Sequence, residues 1–300
     1  MRSRQWVFRL VTMAAIGLSA AWPGLPGSAA EAGVPGDMGA STVRAAAVQP
    51  ASLVRDSGPQ LRSKQGLPAP VMSGAMLSAN AEKQAAARTF VGTMRSQAGP
   101  EVTAKCTSKS CRSSLPAARD LRATQQAQVT NYFCGPATVS EMLAQMGTKL
   151  TQRAVARQLR TTTAGTDWSN PGGYPVPKVL NKNQKKNTYV AVGLPWSPTK
   201  AQIKTFETDL VTDINHNGGV PLAGNAYEVP GGPHLVGHPV NQTIFHWFDI
   251  RGYRKSGATT DYEDSVHGAS SIGWAATVPA YSSLPSKTIV TIIGARGYAW

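Results

Sequence analysis

Along residues 116–300, helical patterns come first and strand-like segments follow, and this order limits the folds that the chain can adopt. Three segments have apolar residues recurring every three or four positions: "GPATVSEMLAQMG", "TQRAVARQLRT" and "SPTKAQIKTFETDLVTDINHNGG". The later segments are β-branched and aromatic, and Gly, Pro and Ser divide them into "VPLAGNAYEV", "QTIFHWFDIRGY", "TTDYED", "IGWAATVPA" and "TIVTIIGARGY". Helices followed by strands predict an α+β domain, with the first helix packed on an antiparallel sheet.

Capping residues predict where the helices begin. Pro136 favours a first helical turn, which places Cys134 at the N-terminal edge of the first helix. Thr151 is the expected N-cap of the second helix, and Ser197 followed by Pro198 is expected to open the third.

The N-terminus has the pattern of a secretory signal peptide. Arg2, Arg4 and Arg9 are followed by the apolar run "LVTMAAIGLSAAW", and Ser28 and Ala30 are small residues at the two positions that a signal peptidase recognises. The run is shorter than the ~20 apolar residues of a membrane span, and no later stretch is long enough to span either. We therefore expect a secreted protein, extracellular or associated with the cell envelope, without a transmembrane span after signal removal.

Composition divides the chain into three parts. Residues 1–30 are the signal peptide, and residues 31–115 are rich in Ala, Gly, Ser and Pro with few large apolar side chains, so they bury little core. We predict that residues 31–115 are a low-complexity linker or pro-region, although "MSGAMLSANAEKQAAARTFVGTM" within them has the composition of a helix. Residues 116–300 are enough for one well-packed domain.

The formal net charge of +14 is spread along the chain rather than concentrated. Nucleic-acid binding would require a basic stripe with interleaved aromatic residues, and the sequence has none. Diffuse positive charge suits weak attraction to anionic cell-envelope polymers or acidic substrates, and it equally suits solubility alone.

The chain has three cysteines, an odd number for an exported protein. Cys106 and Cys111 enclose "TSKS", and a local disulfide between them is the simplest expectation in an oxidising compartment. Cys134 is then left as a reactive thiol. The alternatives are a buried structural thiol or a disulfide from Cys134 to one of the other two cysteines.

The neighbourhood of Cys134 favours a nucleophile. The start of a helix stabilises a thiolate through unpaired N–H groups and the positive end of the dipole. Gly135 leaves room for a substrate backbone, and the Gln128 amide can donate to a developing oxyanion together with a backbone N–H near Cys134. Gln125 and Gln126 are nearby alternatives for that amide.

A thiol nucleophile needs a base, and the best candidate among five histidines is His246. In "TIFHWFDIRGY" it shares one face of a strand with Ile244, Phe248 and Ile250, where a polar ring needs a partner. Such a histidine is usually a satisfied core residue, but here the thiol can supply the partner.

The other histidines have simpler explanations. His216 ends a predicted helix and His267 lies in a predicted turn. His234 and His238 in "HLVGH" have the spacing of a zinc pair, but the neighbouring Gly and Pro residues disfavour the helix that such a pair normally uses.

An acidic residue near the next strand would orient the imidazole, as in nucleophile triads generally. Asp264, at the end of "TTDYED", is the expected residue. Its competitors are Asp261, Glu263 and Asp249.

The motifs Q-x-x-x-x-x-CGPA, GT-D-W, H-W-x-x-I-R-G-Y and Y-x-D are similar to those of a known family. Residues 125–300 resemble the papain-like cysteine peptidases related to the bacteriocin-processing, double-glycine leader peptidases, and most closely their secreted, stand-alone branch. The resemblance implies a papain-like fold in which the helix bearing the cysteine packs on an antiparallel sheet bearing the histidine. It also implies roles for four residues: Cys134 as nucleophile, Gln128 as oxyanion donor, His246 as base and Asp264 as orienting acid.

The chain departs from this family in two respects. It has neither the membrane domain nor the ATPase domain of the transporter-fused relatives, so export of a bacteriocin is not implied. Many relatives have Asp-Pro where this chain has Asp264 and Ser265.

Together these features predict a secreted cysteine peptidase that hydrolyses amide bonds of a peptide or protein substrate through an acyl-enzyme intermediate. No metal or organic cofactor is expected. The alternatives are an amidase or peptidoglycan-peptide hydrolase, an acyl transferase on the same fold, or a catalytically silent module that binds the envelope.

Overall fold

The structure is a computed structural model that describes residues 63–96 and 115–300. The helices are α1 (Gly74–Ser96), α2 (Cys134–Gln145), α3 (Gln152–Leu159), α4 (Pro175–Asn183), α5 (Lys200–Asn215) and α6 (Ser286–Ile292). The strands are β1 (Arg119–Asp120), β2 (Ala191–Gly193), β3 (Leu222–Glu228), β4 (Ile244–Arg254), β5 (Thr259–Glu263), β6 (Tyr281–Pro285) and β7 (Gly297–Ala299). This is the α+β arrangement that the order of patterns predicted.

The strands form one antiparallel sheet in the order β2-β7-β3-β4-β5-β6, and β1 pairs with the end of β4. The long central strand β4 pairs with β3 on one side, where Ala226 faces His246, and with β5 on the other, where Asp249 faces Glu263. The ladder between β4 and β5 shifts register between Ile250 and Gly252. The centre of the sheet therefore fixes the position of His246 relative to the end of β5.

Two apolar groups cover the two sides of the sheet. One includes Met142 and Leu143 of α2 with Trp247 of β4. The other includes Phe206 of α5 with Phe248 of β4. Because helices lie on both sides, β4 is buried at every position from Ile244 to Ile250, and its sequence is apolar almost throughout rather than alternating.

The helix starts agree with the sequence at α2 and α3. Helix α2 begins at Cys134, and the Thr151 side chain caps α3 by accepting from Ala154 N at 3.2 Å. At α5 the predicted cap was two residues early: Thr199, not Ser197, is the N-cap, and it forms a reciprocal capping box with Gln202. Thr-x-x-Gln satisfies two backbone N–H groups at once, which a serine ahead of a proline does not do.

Two predicted strands were wrong. Within residues 272–280, Ala275–Thr277 form a single 3₁₀ turn, and within residues 288–298 the apolar run belongs mainly to α6. Ile289 and Ile292 are fully buried three positions apart, which is helical spacing; a short β-branched run does not distinguish a buried strand from a buried helix. The strand β6 lies between these segments, where none was predicted.

Part of the segment predicted as a linker or pro-region packs on the domain. Helix α1 lies against α5, where Lys83 Nζ pairs with Asp213 Oδ2 at 3.0 Å. The Trp300 indole N–H donates to Asn80 Oδ1 at 3.0 Å, and Lys64 Nζ donates to the carbonyls of Thr291 and Ile292. The described part of the predicted linker is therefore held by specific polar contacts. None of the described helices has the length and apolar content needed to cross a membrane.

Candidate active site

The predicted nucleophile is the first residue of α2. The Ala137 N–H donates to Phe133 O at 2.9 Å to close the first turn, and Pro136 has no N–H to leave unpaired there. Cys134 is a free thiol and is only 2 % exposed. The backbone N–H groups that begin a helix have no partner within the helix, so they are available to a group bound beside the sulfur.

The structure gives a packing reason for the glycine at position 135 that the sequence did not reveal. We predicted that its small size leaves room for a substrate backbone, but Thr166 already fills that space: a Cβ on Gly135 would lie 2.4 Å from Thr166 Oγ1. The Trp247 indole N–H donates to Thr166 O at 3.1 Å, and Trp168 stacks on Trp247 with ring centroids 5.8 Å apart. Thr166 and Trp168 of "GTDWSNPGGYPVP" are therefore packed close to the start of α2.

The structure brings His246 and Asp264 together. His246 Nε2 lies 3.0 Å from Asp264 Oδ1, outside the alignment of a standard hydrogen bond, and both side chains are 1 % exposed. Asp264 directly follows β5, and its Oδ1 also accepts from Val266 N–H at 2.9 Å. With Nε2 facing the carboxylate, Nδ1 is the ring nitrogen left for the thiol.

The electrostatics of this group follow from burial and close opposite charges. Burial alone would lower the pKa of His246, but the Asp264 carboxylate and the adjacent Cys134 side chain raise that pKa well above its ordinary value. Burial alone would raise the pKa of Asp264, but His246 and His238 hold it well below its ordinary range. The arrangement favours an imidazolium beside a carboxylate.

The three competing acids are placed elsewhere. Asp261 pairs with Arg254 at 3.1 Å. Asp249 and Glu263 lie together with Glu141 of α2, and their carboxylate oxygens are within 4.8 Å of one another. Of the four candidate acids, Asp264 is the one that contacts His246.

Gln128 is buried beside the acid rather than exposed in a loop. Its amide donates to Thr130 O at 2.7 Å, and its Oε1 accepts from Ser265 Oγ–H at 3.2 Å. A primary amide has two N–H groups, so one remains for an oxyanion. The backbone N–H of Gln128 also donates to Ser265 O at 2.8 Å. Gln128 is thus bonded through both its side chain and its backbone to Ser265, the residue directly after Asp264.

The neighbouring glutamines have other tasks. The Gln125 amide donates to the carbonyls of Asp264 and His267 at 2.9 and 3.0 Å. The Gln126 backbone N–H donates to Glu141 Oε1 at 2.6 Å. Both stabilise the segment around the candidate site from outside it.

Sequence reasoning missed His238, which the structure places inside the site. Its Nε2 lies 3.0 Å from Asp264 Oδ2, and its Nδ1 lies 2.8 Å from Glu228 Oε2. Burial alone would lower the pKa of His238, but Glu228 and Asp264 raise it to about 9. The signal in the sequence was the "HLVGH" spacing just before the histidine strand, which by itself suggests only a zinc pair.

The two histidines of that motif do not face each other as a metal pair would. Both ring nitrogens of His234 contact backbone carbonyls, Gly232 O at 2.9 Å and Gln242 O at 3.1 Å. His267 Nδ1 lies 2.7 Å from Val278 O, and His216 caps the end of α5. Only His238 joins the group around Asp264.

The acidic group of Glu141, Asp249 and Glu263 lies under the same helix and strands. Burial is the main reason that the pKa of each is raised, and the Glu263 carboxylate raises the pKa of the other two further. Gln145 of α2 donates its amide to Asp249 Oδ2 and to Glu263 Oε1, the latter at 3.2 Å. These carboxyl groups therefore tend to keep their protons.

Cys106 and Cys111 lie outside the described residues, so the disulfide between them stays a prediction.

Comparison with known proteins gives a family. Residues 120–280 match the Peptidase_C39 like family, which is more than half of the chain. Among solved structures, the chain is similar to a putative C39-like peptidase from Bacillus anthracis, with 12 % identity, a TM-score of 0.38, and coverage of 61 % of this chain and 97 % of that one. It is also similar to xylellain, a cysteine protease from Xylella fastidiosa, with 11 % identity, a TM-score of 0.34, and coverage of 64 % and 88 %. No curated protein matches the chain.

Proposed function

The chain belongs to the Peptidase_C39 like family and is a cysteine-type peptidase with an α+β, papain-like fold, and from this premise we propose that it cleaves amide bonds with a Cys134, His246 and Asp264 triad. The observation that carries the proposal is the 3.0 Å approach of His246 Nε2 to Asp264 Oδ1, combined with the effect of Cys134 on the pKa of the same imidazole. The three side chains come from a helix start, a central strand and the end of the next strand.

The first step is attack by sulfur. His246 Nδ1 takes the thiol proton, and the Cys134 thiolate forms a bond to the carbonyl carbon of the scissile amide. The carbonyl oxygen becomes an oxyanion, which the free N–H of the Gln128 amide and the backbone N–H at the start of α2 stabilise. Asp264 holds the imidazole in orientation and stabilises its charged form.

The second half releases the products. The oxyanion collapses, the C–N bond breaks, and His246 gives its proton to the leaving amine, so a thioester joins the acyl group to Cys134. His246 then takes a proton from water, whose oxygen attacks the thioester carbonyl. The C–S bond breaks, the carboxylic product leaves, and the proton returns to the Cys134 and His246 pair.

The decisive experiment combines activity with thiol labelling. Casein and isolated wall peptides are offered to the wild type and to Cys134→Ala, while iodoacetamide labelling of Cys134 is followed from pH 4 to 9 without reduction. We expect amide hydrolysis to fall at least about 10³-fold in Cys134→Ala, because the nucleophile is absent. Labelling in the wild type should persist well below pH 8 and should slow in His246→Ala.

The control is Ser140→Ala, a buried change on the same helix. The Ser140 hydroxyl is buried without a hydrogen-bond partner among the described residues, so its loss should leave activity and labelling near wild type. Cleavage of wall peptides but not casein would favour peptidoglycan chemistry, and transfer to an added amine would favour acyl transfer. An inert Cys134 would contradict the proposal and favour an envelope-binding module.

The site of action is a separate proposal. The signal-peptide pattern of residues 1–30, which lie outside the described residues, supports secretion. The net charge of +11 that remains when the three arginines of residues 1–30 are removed from +14 supports weak attraction to anionic envelope polymers. N-terminal sequencing of the protein from the culture medium should find Glu31 as the first residue. Intact residues 1–30 on protein retained inside the cell would contradict secretion.

A further inference from the structure

His238 lies at the far side of the candidate triad from the thiol. It is completely buried between two carboxylates, with Nδ1 2.8 Å from Glu228 Oε2 and Nε2 3.0 Å from Asp264 Oδ2. Its ring also lies against His246, with centroids 5.4 Å apart, and against Trp274 at 4.8 Å. Asp264 therefore has one oxygen toward each of two imidazoles.

Both ring nitrogens of His238 point at acceptors, so only the doubly protonated ring donates at both ends. Glu228 is itself fixed, because its Oε1 accepts from Leu235 N–H at 2.7 Å. The same ion-pair environment raises the pKa of His238 to about 9. The side chains of Glu228, His238, Asp264 and His246 therefore form a buried row in which carboxyl groups alternate with imidazoles.

We infer that His238 is a positioning residue for the proposed function: its imidazolium, anchored by Glu228, holds the Asp264 carboxylate with one oxygen facing His246. The inference rests on the proposed triad, and it adds a residue that acts on the thiol only through Asp264 and His246. A carboxylate held at one oxygen cannot rotate away from the imidazole that it orients, and a second cation stabilises the ionised form of Asp264.

The charged groups that face His238 come from several elements. Glu228 ends β3, Asp264 follows β5 and His246 lies on β4. Behind Glu228 is the half-buried Lys64, whose pKa burial lowers to about 7 although Glu228 raises it. Removing the His238 cation leaves the site more negative near neutral pH, and a more negative site disfavours a thiolate.

The test is thiol labelling against pH, which needs no substrate. In His238→Gln we expect the pH of half-maximal Cys134 labelling by iodoacetamide to rise by about one unit, and the labelling rate at pH 6 to fall about tenfold. The control is His234→Gln in the same loop, whose ring contacts only backbone carbonyls and whose replacement should leave the profile unchanged.

A second variant separates charge from packing. Glu228→Gln combined with His238→Gln removes one positive and one negative charge, so its labelling profile should return toward wild type if His238 acts through charge. Additive damage in the double variant would overturn the inference. If His238→Gln fails to fold, ¹⁵N NMR of wild-type histidines decides: His238 should carry protons on both nitrogens at pH 8, and a neutral ring there would overturn the inference.

The outcomes separate the two proposals. A wild-type Cys134 that is inert at every pH overturns the proposed function and this inference with it. A reactive wild-type Cys134 whose profile does not move in His238→Gln overturns the inference alone and leaves the triad intact.

A second, independent observation concerns the substrate. A cavity of about 460 Å³ lies beside the start of α2, lined by Phe133 and by Arg153, Arg157 and Arg160, which belong to α3 and its C-terminal end. All three arginines are exposed, and none of them forms one of the ion pairs found among the described residues. An unpaired set of guanidinium groups next to the residue before the nucleophile is suited to carboxylates.

The cavity is fixed to the site at both edges. The Gln152 amide, at the start of α3, donates to Ala127 O at 2.9 Å and accepts from Val129 N–H at 3.0 Å. On the other edge, the hydroxyls of Thr161 and Thr166 are 2.7 Å apart, and Thr166 packs on Gly135. The geometry points to binding of acidic side chains of a peptide substrate of the proposed peptidase.

Paired peptides that differ by Glu or Gln at single positions around the cleaved bond test this assignment. The wild type should prefer a Glu peptide, and each Arg→Gln change should reduce that preference about two- to fivefold, less at high salt, as expected for exposed ion pairs. Arg88→Gln, at an exposed arginine of α1, is the control. Equal cleavage of Glu and Gln peptides, or equal competition by an anionic wall polymer, would overturn the assignment, whereas cleavage of neither would overturn the proposed function as well.

Discussion

Glu263 and Asp264 are consecutive residues, both buried, yet they belong to two carboxylate groups with opposite behaviour. Asp264 faces the imidazoles of His246 and His238, which hold its pKa well below the ordinary range. Glu263 faces Asp249 and the Gln145 amide, and burial raises its pKa. Successive residues at the end of a strand point in opposite directions, so neighbours in sequence meet different partners.

The difference shows that burial does not decide the charge of a carboxyl group by itself. In both groups burial favours the protonated acid, and only the group that meets cations at 3.0 Å overcomes it. A carboxyl group near the thiol whose pKa is strongly shifted is thus a candidate for function only where the shift comes from a partner that can take part in proton transfer.

The largest expected difference between the two groups is in activity. Asp264→Asn should lower kcat about 10²–10⁴-fold, because the amide neither stabilises the imidazolium nor fixes its orientation. Asp249→Asn in the other group should keep kcat within about threefold of wild type, since an amide resembles a protonated acid in shape and in its ability to donate. Steady-state kinetics on one peptide substrate check both variants.

Comparable losses of kcat in these two variants would contradict the distinction between the two carboxyl groups, because they would place both groups in the reaction. Circular dichroism of each variant is the control for folding. Equal near-UV spectra would show that any loss in Asp264→Asn is a loss of chemistry.

The next effect is on the pH dependence of stability. The pKa of Asp249 is raised in the folded protein. Its contribution to the free energy of unfolding is therefore fully present below its ordinary pKa of about 4 and is lost as pH rises through the folded pKa. The pKa of Asp264 is lowered, so its contribution is present above about pH 4 and is lost as pH falls below that value. The two groups therefore give slopes of opposite sign.

Urea unfolding from pH 4.5 to 8.5 measures the slope that Asp249 contributes. The free energy of unfolding of Asp249→Asn should rise relative to that of the wild type as pH rises, by up to about 1.4 kcal/mol per pH unit. The reason is that unfolding of the wild type releases the Asp249 proton, whereas the variant has no such proton to release. Other groups with a raised pKa, such as His238 and Asp209, are present in both proteins and cancel in the difference. A difference that stays constant with pH would mean that Asp249 does not titrate differently on folding.

The smallest expected effect concerns Gln145, which donates to both Asp249 and Glu263. Gln145→Met keeps a similar volume but removes the donor. The loss of unfolding free energy should be about 1 kcal/mol, because two buried carboxyl groups lose their side-chain donor. Urea unfolding at pH 6 checks it, and an unchanged free energy of unfolding would contradict a role for Gln145 in stabilising the acidic group.

The sequence predicted those features that local chemistry determines. The α+β class followed from the order of helical and strand-like patterns, and the start of α2 at Cys134 followed from Pro136. Thr151 was recognised as a cap because capping needs only neighbouring residues. The juxtaposition of His246 and Asp264 was expected because consecutive antiparallel strands bring their residues side by side.

Features that depend on distant partners were not predictable in this way. The run from Ile289 to Ile292 is helical because of what packs around it, and its β-branched composition indicated a strand. His238 lies in a loop without periodicity, and its role depends on Glu228 and Asp264, ten and twenty-six positions away. Gly135 needs Thr166 to explain it.

The enclosure of the thiol has a kinetic consequence. Cys134 is 2 % exposed, Thr166 packs on the adjacent Gly135, and the stacked Trp168 and Trp247 belong to the same apolar group as Cys134, so we expect reagents and substrates to react with molecules in which this segment has opened. The observed rate is then the intrinsic rate multiplied by the open fraction. Tighter packing of that segment would protect the sulfur from oxidants and would slow turnover by the same factor, so durability and speed of the enzyme are set by a single equilibrium.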